Sequence, residues 1–282
     1  MLLSTFIHES IGALSALYPS PEARGMVLML CEERLGVRSW THIVEPQTTI
    51  PDDALQGLEA DMDALLRWTP IQYVLGFADF YGRRFRVDPS VLIPRPETEL
   101  LVREAVTAGL SLGRPPRVLD LCTGSGCIAW SVLKEIPDAE VTAVDISESA
   151  LSTARSQFAG PAPVFIRADV LDTEQDFGYG PFDLILSNPP YVMEKEKTSM
   201  RKNVLDHEPS LALFVDDADP LLFYRAVARW ARRFLSPGGI GIVEINEALG
   251  AQTADVFRAS GFSDVTVIRD LSGRFRMVRF SA

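Results

Sequence analysis

Residues 118–129 read Val118-Leu119-Asp120-Leu121-Cys122-Thr123-Gly124-Ser125-Gly126-Cys127-Ile128-Ala129. This order predicts a strand, a glycine loop and the start of a helix. Gly124 and Gly126 permit tight backbone geometry and the close approach of a ligand. The next predicted strand ends at Asp145, whose carboxylate can accept both hydroxyls of an adenosine ribose. The stretch therefore predicts a nucleotide-like site within an α/β sheet.

Two cofactor classes fit this pattern. Two glycines followed by an acid about 20 residues later are also typical of a dinucleotide fingerprint. Asp120, at the tip of the first strand, separates the two classes, because a carboxylate there repels a diphosphate and favours the ammonium and sulfonium of S-adenosylmethionine. We therefore prefer the methyl donor to NAD, and add Thr123 and Ile146 to the cofactor-binding candidates. Asp169 follows the third strand and either accepts from the adenine amino group or caps the next turn.

An alternating pattern surrounds this stretch and predicts a doubly wound, mostly parallel sheet of seven strands with helices on both faces. The predicted strands are 117–121, 140–145, 163–167, 182–187, 239–245, 264–269 and 275–280, and the predicted helices are 127–136, 148–158, 220–235 and 249–259. The connection between the last two strands is too short for a crossover helix. These two strands are therefore expected to form an antiparallel C-terminal hairpin at one edge.

A second polar motif, Asn188-Pro189-Pro190-Tyr191, comes directly after the buried fourth strand. The prolines have no N–H, so the stretch presents mainly acceptors, namely the Asn188 side-chain oxygen and the Asn188 and Pro189 carbonyls. Such acceptors can hold a planar NH₂ group, with Tyr191 lying flat on it. Asn188, Pro189 and Tyr191 are therefore the catalytic candidates, and Pro190 joins them for substrate binding. The competing interpretation is a stiffened turn, since both dipeptides are common in loops.

The N-terminal part predicts a different organisation. Apolar residues recur near a helical period over residues 1–75, which indicates a small helical domain. Residues 76–96 suggest a β-hairpin linker, and residues 97–282 form the main α/β domain. Residues 1–80 contain four arginines against eleven acidic residues, which fits either a docking module for a basic partner or an acidic solvated surface.

The linker ends in Pro94-Arg95-Pro96-Glu97-Thr98-Glu99. Thr98 or Glu97 could cap the helix that follows. The alternative is that Arg95 and Glu97 lie near the active edge of the sheet and bind substrate. The polar segment 192–210 holds three of the four lysines of the chain and is either a lid that touches a partner or a solvated loop.

Bulk properties exclude some classes of protein. The chain has 282 residues, is 47% hydrophobic and 23% charged, and carries a net charge of −11. That charge argues against broad neutralisation of nucleic-acid phosphates. We find no apolar run of the roughly 18 residues that span a bilayer and no signal peptide, so a cytoplasmic protein is expected. Three cysteines and three scattered histidines predict neither a disulfide framework nor a metal site.

These motifs together resemble the release factor glutamine N5-methyltransferases, and the match covers almost the whole chain from Pro70 onward. The motifs that carry the resemblance are Pro94-Arg95-Pro96-Glu97-Thr98-Glu99, Asn188-Pro189-Pro190-Tyr191 and Glu208-Pro209-Ser210-Leu211-Ala212-Leu213. The first is the most telling, because Asn-Pro-Pro-Tyr is shared with enzymes that methylate the amino group of DNA adenine. One departure is Cys122, which stands where the family usually has a glycine.

The resemblance implies a Rossmann-like class I S-adenosylmethionine-dependent methyltransferase with an N-terminal helical substrate-docking domain. It implies methylation of the glutamine side-chain nitrogen in the Gly-Gly-Gln motif of peptide-chain release factors, which modulates translation termination, with S-adenosylhomocysteine as product. Release factors are the expected partners, with no direct nucleic-acid substrate and no membrane. Two alternatives stay open: an adenine-N6 nucleic-acid methyltransferase, and a noncatalytic binding protein on the same fold.

Overall fold

The computed structural model describes residues 1–175, 178 and 180–282. Its helices are α1 (Leu3–Leu14), α2 (Ser20–Leu35), α3 (Thr41–Val44), α4 (Asp52–Leu66), α5 (Ile71–Leu75), α6 (Glu99–Ser111), α7 (Cys127–Glu135), α8 (Glu148–Arg155), α9 (Lys202–Leu205), α10 (Ser210–Leu213), α11 (Leu222–Phe234) and α12 (Gly250–Ala259). Its strands are β1 (Phe77–Phe80), β2 (Arg83–Arg86), β3 (Arg117–Leu121), β4 (Glu140–Asp145), β5 (Val164–Arg167), β6 (Phe182–Ser187), β7 (Val192–Met193), β8 (Phe214–Val215), β9 (Leu235–Glu244), β10 (Ser263–Arg269) and β11 (Phe275–Ser281). Short 3₁₀ helices cover Pro96–Thr98, Glu194–Ser199 and Glu247–Leu249.

Contacts within the chain define two compact units. Unit 1 comprises Met1–Phe77 and Arg201–His207, and unit 2 comprises Ala78–Met200 and Glu208–Ala282. The segment 201–207 therefore folds with unit 1, although the sequence suggested only that it belongs to a polar loop. The predicted domain boundaries, 1–75, 76–96 and 97–282, stay a prediction.

Unit 1 is helical. Pro21 occupies the first turn of α2, where its missing N–H leaves no hydrogen bond unmade, and Gly36 ends that helix with a φ of 66°. The apolar faces of the helices meet in one core, whose fully buried residues include Leu14, Leu30 and Leu58. Two polar contacts hold the segment 201–207 in this unit: Arg201 pairs with Glu22 at 2.7 Å, and the His207 ring nitrogen Nε2 lies 3.1 Å from the Arg67 carbonyl oxygen.

Unit 2 contains the predicted seven-stranded sheet, in the order β10-β11-β9-β6-β3-β4-β5. The pairs from β9 to β5 are parallel, whereas β11 is antiparallel to both β9 and β10. The expected C-terminal hairpin and the α/β fold class are thereby confirmed. The chain runs from β3 outward to β4 and β5 and then returns to β6 on the other side of β3. The topological switch point lies between β3 and β6, which is where an open α/β sheet forms a crevice for ligands.

Helices cover both faces of this sheet. On one face α6 and α7 pack around Leu101, Val118 and Trp130, together with Phe80 and Phe85 from β1 and β2. On the other face α11 and α12 enclose a second core around the stacked rings of Phe257 and Phe280. With both faces buried, β6 has no exposed residue, and this explains why its sequence is mostly apolar, with Asp183 and Ser187 as its polar residues.

Two predicted bounds differ from the structure by more than two residues. Strand β9 begins at Leu235, not at 239, because the Pro-Gly-Gly sequence that resembles a turn stays paired, with the Gly239 carbonyl accepting from Ala282. Helix α8 ends at Arg155, not at 158. The Gln157 side chain just beyond it is buried and bonds to the backbone N–H and carbonyl of Arg86, which ties this residue to β2. In the described part of the chain no helix is long and apolar enough to cross a membrane.

Candidate active site

A cavity of about 1120 Å³, partly open to solvent, lies in unit 2 at the carboxyl edge of the sheet. It is bordered by Cys122 after β3, Asp145 at the end of β4 and Asn188 after β6, so it occupies the switch point. Its walls are mostly apolar with a few polar groups, which is typical of a small-molecule site. The predicted site residues that line it are Arg95, Thr123, Gly124, Asp145, Ile146, Asp169, Asn188 and Pro190.

The other predicted site residues do not line this cavity: Glu97, Asp120, Gly126, Pro189 and Tyr191. Glu97 is exposed on the 3₁₀ helix before α6, and Pro189 is buried. Gly126 is a packing residue, because a Cβ there would lie 3.1 Å from both Ala154 and Trp130. A side chain at Gly126 would therefore crowd these two neighbours. The roles predicted for all five residues stay predictions.

The glycine loop is held by its own hydrogen bonds. The Thr123 N–H donates to the Val144 carbonyl at 3.0 Å and the Gly126 N–H to the Thr123 carbonyl at 2.9 Å. The Gly124 N–H donates to Asp145 Oδ2 at 2.8 Å. A diphosphate needs free N–H donors at this position, and these three are already used. This is an independent reason to prefer a positively charged, nucleoside-type cofactor to a dinucleotide.

Asp145 is fixed with its carboxylate on the cavity wall. Oδ2 accepts from Gly124, and Oδ1 accepts from the Ser147 N–H at 2.9 Å, so each oxygen keeps a lone pair for a ligand. Burial raises the pKa of Asp145, while the donated backbone N–H groups act in the opposite direction. Two adjacent acceptors on one carboxylate suit the two hydroxyls of a ribose.

Asp169 lies on the wall of the same cavity, and its two carboxylate oxygens have different surroundings. Its Oδ1 accepts from the Leu171 N–H at 2.9 Å, so it does stabilise the following turn. Its Oδ2 makes no hydrogen bond within the described part of the chain and is available to an amino group. Ile146 and Leu171, which are 40% and 36% exposed, add apolar surface to the wall. These side chains match the polar and apolar parts of an adenosine, so the residues present fit S-adenosylmethionine.

Asp120 does not reach the cavity surface. It is 0% exposed beneath the glycine loop, and its Oδ2 accepts from Thr123 Oγ1 at 2.6 Å. Oδ1 has no hydrogen-bond partner among the residues that the structure describes. Burial raises the pKa of Asp120 to about 7. The predicted attraction between Asp120 and the positive charges of the cofactor would therefore act from below the loop.

Cys122 lines the cavity in an unusual backbone conformation. Its φ of 61° lies in the left-handed region, which costs an L-residue roughly 1–2 kcal/mol. Glycine has no such penalty. This accounts for the glycine usually found at this position in the family that the sequence resembles.

Asn188 is oriented by a chain of polar contacts. Its Nδ2 donates to Thr98 Oγ1 at 3.3 Å, and Thr98 in turn donates to Glu244 Oε2 at 2.6 Å. Asn188 Oδ1 has no partner among the described residues and is free to accept from a ligand in the cavity. One interpretation of the sequence expected Thr98 to cap α6. Its side chain makes no capping hydrogen bond, because its hydroxyl donates to Glu244 instead.

Tyr191 is fixed at both ends. Its hydroxyl donates to Glu244 Oε1 at 2.9 Å, and its carbonyl accepts from Asn246 Nδ2 at 3.2 Å. Burial, together with the Glu244 carboxylate, raises the pKa of Tyr191 well above its ordinary value. The phenol therefore stays protonated, and its predicted position on a substrate amide stays a prediction.

Arg95 is anchored on the cavity wall by a buried carboxylate. Glu208 Oε1 accepts from Arg95 at 2.7 Å, and Glu208 Oε2 accepts from the Ile93 N–H at 3.1 Å. Two motifs far apart in the sequence thus meet at this ion pair. Glu208 and Glu244 were not among the predicted site residues. The sequence did contain a signal for Glu244, which is an acid directly after the apolar residues Ile242 and Val243. Its strand, β9, pairs with β6, the strand that precedes Asn188.

Comparisons with known proteins show which proteins the chain is similar to. A family model described as "Methyltransferase small domain" matches residues 97–210. The chain is 42% identical over 282 residues to a release factor glutamine methyltransferase of Bacteroides thetaiotaomicron, covering 98% of each chain. It is 37% identical to the Flavobacterium psychrophilum protein of the same name, covering 99% of each.

A solved structure adds support for the fold alone. The methyltransferase of Pyrococcus furiosus aligns with a TM-score of 0.51 at 17% identity, over 72% of this chain and 90% of that one.

Proposed function

The chain belongs to the family of release factor glutamine methyltransferases, and from this premise we propose that it methylates the side-chain nitrogen, N5, of the glutamine in the Gly-Gly-Gln motif of peptide-chain release factors. The observation that carries the proposal is the orientation of Asn188. Its NH₂ is donated to Thr98, so its Oδ1 is left as an acceptor at the cavity, which is the group that a substrate carboxamide NH₂ requires.

S-adenosylmethionine fits the cavity described above, and its bound form supplies an electrophilic methyl group on a sulfonium sulfur. In this proposal Asp145 accepts the ribose hydroxyls and Asp169 accepts the adenine amino group. Thr123, Gly124 and Ile146 form the adjoining walls. Asp120 contributes negative charge from beneath the loop toward the ammonium once its carboxyl is ionised, above pH about 7.

The residues of the chain then act on the substrate amide. A carboxamide nitrogen is a weak nucleophile because its lone pair is delocalised into the carbonyl. Asn188 Oδ1 and the Pro189 carbonyl accept the two N–H groups, which orients the nitrogen toward the methyl group and stabilises the positive charge that develops on it. Tyr191 packs on the amide plane, and Pro190 and Arg95 border the entering side chain. No strong base is needed if the proton leaves to water after the transfer.

Two effects lower the reaction barrier in this mechanism, and general magnitudes are known for each. Proximity and alignment contribute up to roughly 7–11 kcal/mol to lowering such a barrier. Preorganised acceptors for the developing charge add about 3–4 kcal/mol, by analogy with mutations in oxyanion holes.

We further propose that the helical N-terminal domain, residues 1–75, contacts the release factor, with 76–96 as linker and 97–282 as the methyltransferase domain. The excess of acidic over basic residues in 1–80 favours a basic protein surface as its partner. Because release factors act on ribosomes, we place the reaction in the cytoplasm, with no direct nucleic-acid or membrane partner.

The decisive experiment measures transfer of labelled methyl from S-adenosylmethionine to a purified release factor. A release factor with the Gly-Gly-Gln glutamine changed to alanine, and duplex DNA, are the controls. We expect label only on the unaltered release factor. Label on the alanine variant would place the methyl group elsewhere, and label on DNA would favour the adenine-N6 alternative.

A further inference from the structure

Glu244 is a buried acid for which the mechanism above has no use. It is the last residue of β9 and is 1% exposed. Each of its oxygens accepts one hydroxyl, Oε2 from Thr98 at 2.6 Å and Oε1 from Tyr191 at 2.9 Å. Both donors belong to motifs that border the cavity, so this carboxylate joins the Pro-Glu-Thr and Asn-Pro-Pro-Tyr segments through hydrogen bonds.

With Glu244 ionised, the polarity of these hydrogen bonds is fixed by counting protons. Burial raises the pKa of Glu244, while the hydrogen bonds from Thr98 and Tyr191 act in the opposite direction. A threonine hydroxyl has one proton to donate, and Thr98 gives it to Glu244. Toward Asn188 the Thr98 oxygen can therefore only accept. The Asn188 side chain must then turn its NH₂ to Thr98 and its Oδ1 away from it.

The reversed amide is disfavoured for the same reason. In that orientation Asn188 Oδ1 would face the lone pairs of Thr98, and its NH₂ would meet the NH₂ of the substrate. Leaving a polar group of this part-buried side chain unpaired carries a desolvation cost, which favours the observed orientation. If the Thr98 hydroxyl were absent, neither orientation would have this preference.

We propose that Glu244 and Thr98 are positioning residues that set the direction of the Asn188 side-chain amide, so that Oδ1 is always the group presented to the substrate; the catalytic part of this inference rests on the proposed function. Neither residue touches the reacting nitrogen. Their effect passes through Asn188, and it should vanish when Asn188 is replaced.

The first test reads the amide directly and needs no substrate. The side-chain ¹⁵N–¹H₂ signal of Asn188 is assigned by its loss in Asn188→Asp and followed in Thr98→Val and Thr98→Ser. We expect Thr98→Val to shift the signal and speed its exchange with water, and Thr98→Ser to restore the wild-type signal. An unchanged signal in Thr98→Val would overturn the inference whatever the protein methylates.

The second test measures kcat, the KM for release factor and the donor Kd. Thr98→Val should lower kcat by roughly tenfold, since small displacements of a positioning contact have effects of this order or more, with KM and donor Kd within about twofold of the wild type. Thr98→Ser should restore kcat. In the Asn188→Ala background, Thr98→Val should cause no further loss, because residues that act as one unit are not additive.

The chain offers a matched control in Thr253. It is 0% exposed in α12, and its hydroxyl has no hydrogen-bond partner in the residues that the structure describes. Thr253→Val makes the same substitution at a buried threonine that does not line the cavity, and it should leave kcat unchanged. An equal loss from Thr98→Val with and without Asn188 would show that Thr98 acts on stability or on another group, and would refute the inference. A wild-type protein that shows the expected amide signal but does not methylate release factor would refute the proposed function only.

Discussion

Replacing Asp120 by asparagine should change how stability depends on pH. Asp120 is fully buried beneath the glycine loop, and burial raises its pKa from 3.8 to about 7. The folded protein therefore binds this proton more tightly than the unfolded chain does. The contribution of Asp120 to stability is most favourable below pH about 4 and is lost as the pH rises toward about 7.

The size of the effect follows from the two pKa values. Between pH 5 and pH 8 the wild-type protein should lose about 2–3 kcal/mol through this one carboxyl. Asparagine does not titrate, so Asp120→Asn should lack that loss. Changes in stability that do not depend on pH, such as altered bonding to Thr123, cancel when each protein is compared with itself at the two pH values.

The measurement is urea unfolding of both proteins at pH 5 and pH 8. Asp183→Asn is a suitable control, because hydrogen bonds from Arg114 hold the pKa of Asp183 below its ordinary value. Asp183 is ionised in both states over this pH range, so its replacement should lower stability about equally at pH 5 and pH 8. The reasoning would be refuted if Asp120→Asn lost as much stability between the two pH values as the wild type does.

Four further substitutions test other parts of the structure. Asn188→Ala removes the proposed acceptor and should lower kcat by about a hundredfold or more while donor binding persists; near-normal turnover would contradict the mechanism. Asp145→Ala removes a charged hydrogen-bonding group and should weaken donor binding by roughly 10- to 100-fold in calorimetry, whereas an unchanged Kd would argue against its ribose role. Gly241→Ala would place a Cβ 2.0 Å from Phe280 Cζ and should lower the free energy of unfolding by about 1–3 kcal/mol or more. Gly57→Ala, where a Cβ meets nothing within 4 Å inside helix α4, should instead raise it by about 0.5–1 kcal/mol, and equal effects in urea unfolding would contradict both expectations.

The positions of Asp145 and Asn188 could be predicted because each depends only on where a strand ends. Parallel strands of an open α/β sheet place their carboxyl ends at one edge, so locating β4 and β6 in the sequence was enough. The antiparallel hairpin could be predicted for a different reason, since five residues between two strands leave no room for a crossover.

The hydrogen-bond partners of Thr98 and Asp120 could not be predicted in this way. Thr98 donates to a residue 146 positions away, and local sequence contains no information about which distant acceptor a hydroxyl will reach, so its local role as a helix cap was the natural expectation. Asp120 lies within strand β3, near its end, but whether its side chain reaches the cavity depends on how the loop folds over it. Strand ends can thus be inferred from the sequence, whereas the side-chain network behind them needs the three-dimensional structure.

The composition of unit 1 from two separate pieces of chain has a consequence for modularity. When the recognition domain of an enzyme consists only of residues that precede the catalytic domain, relatives can exchange this domain as one N-terminal segment. Here residues 201–207 belong to the same compact unit as residues 1–77, and Arg201 and His207 bond to Glu22 and to the backbone of Arg67. A chimera that exchanges only the first 77 residues would therefore break these contacts, and a functional exchange should require both pieces to come from the same parent.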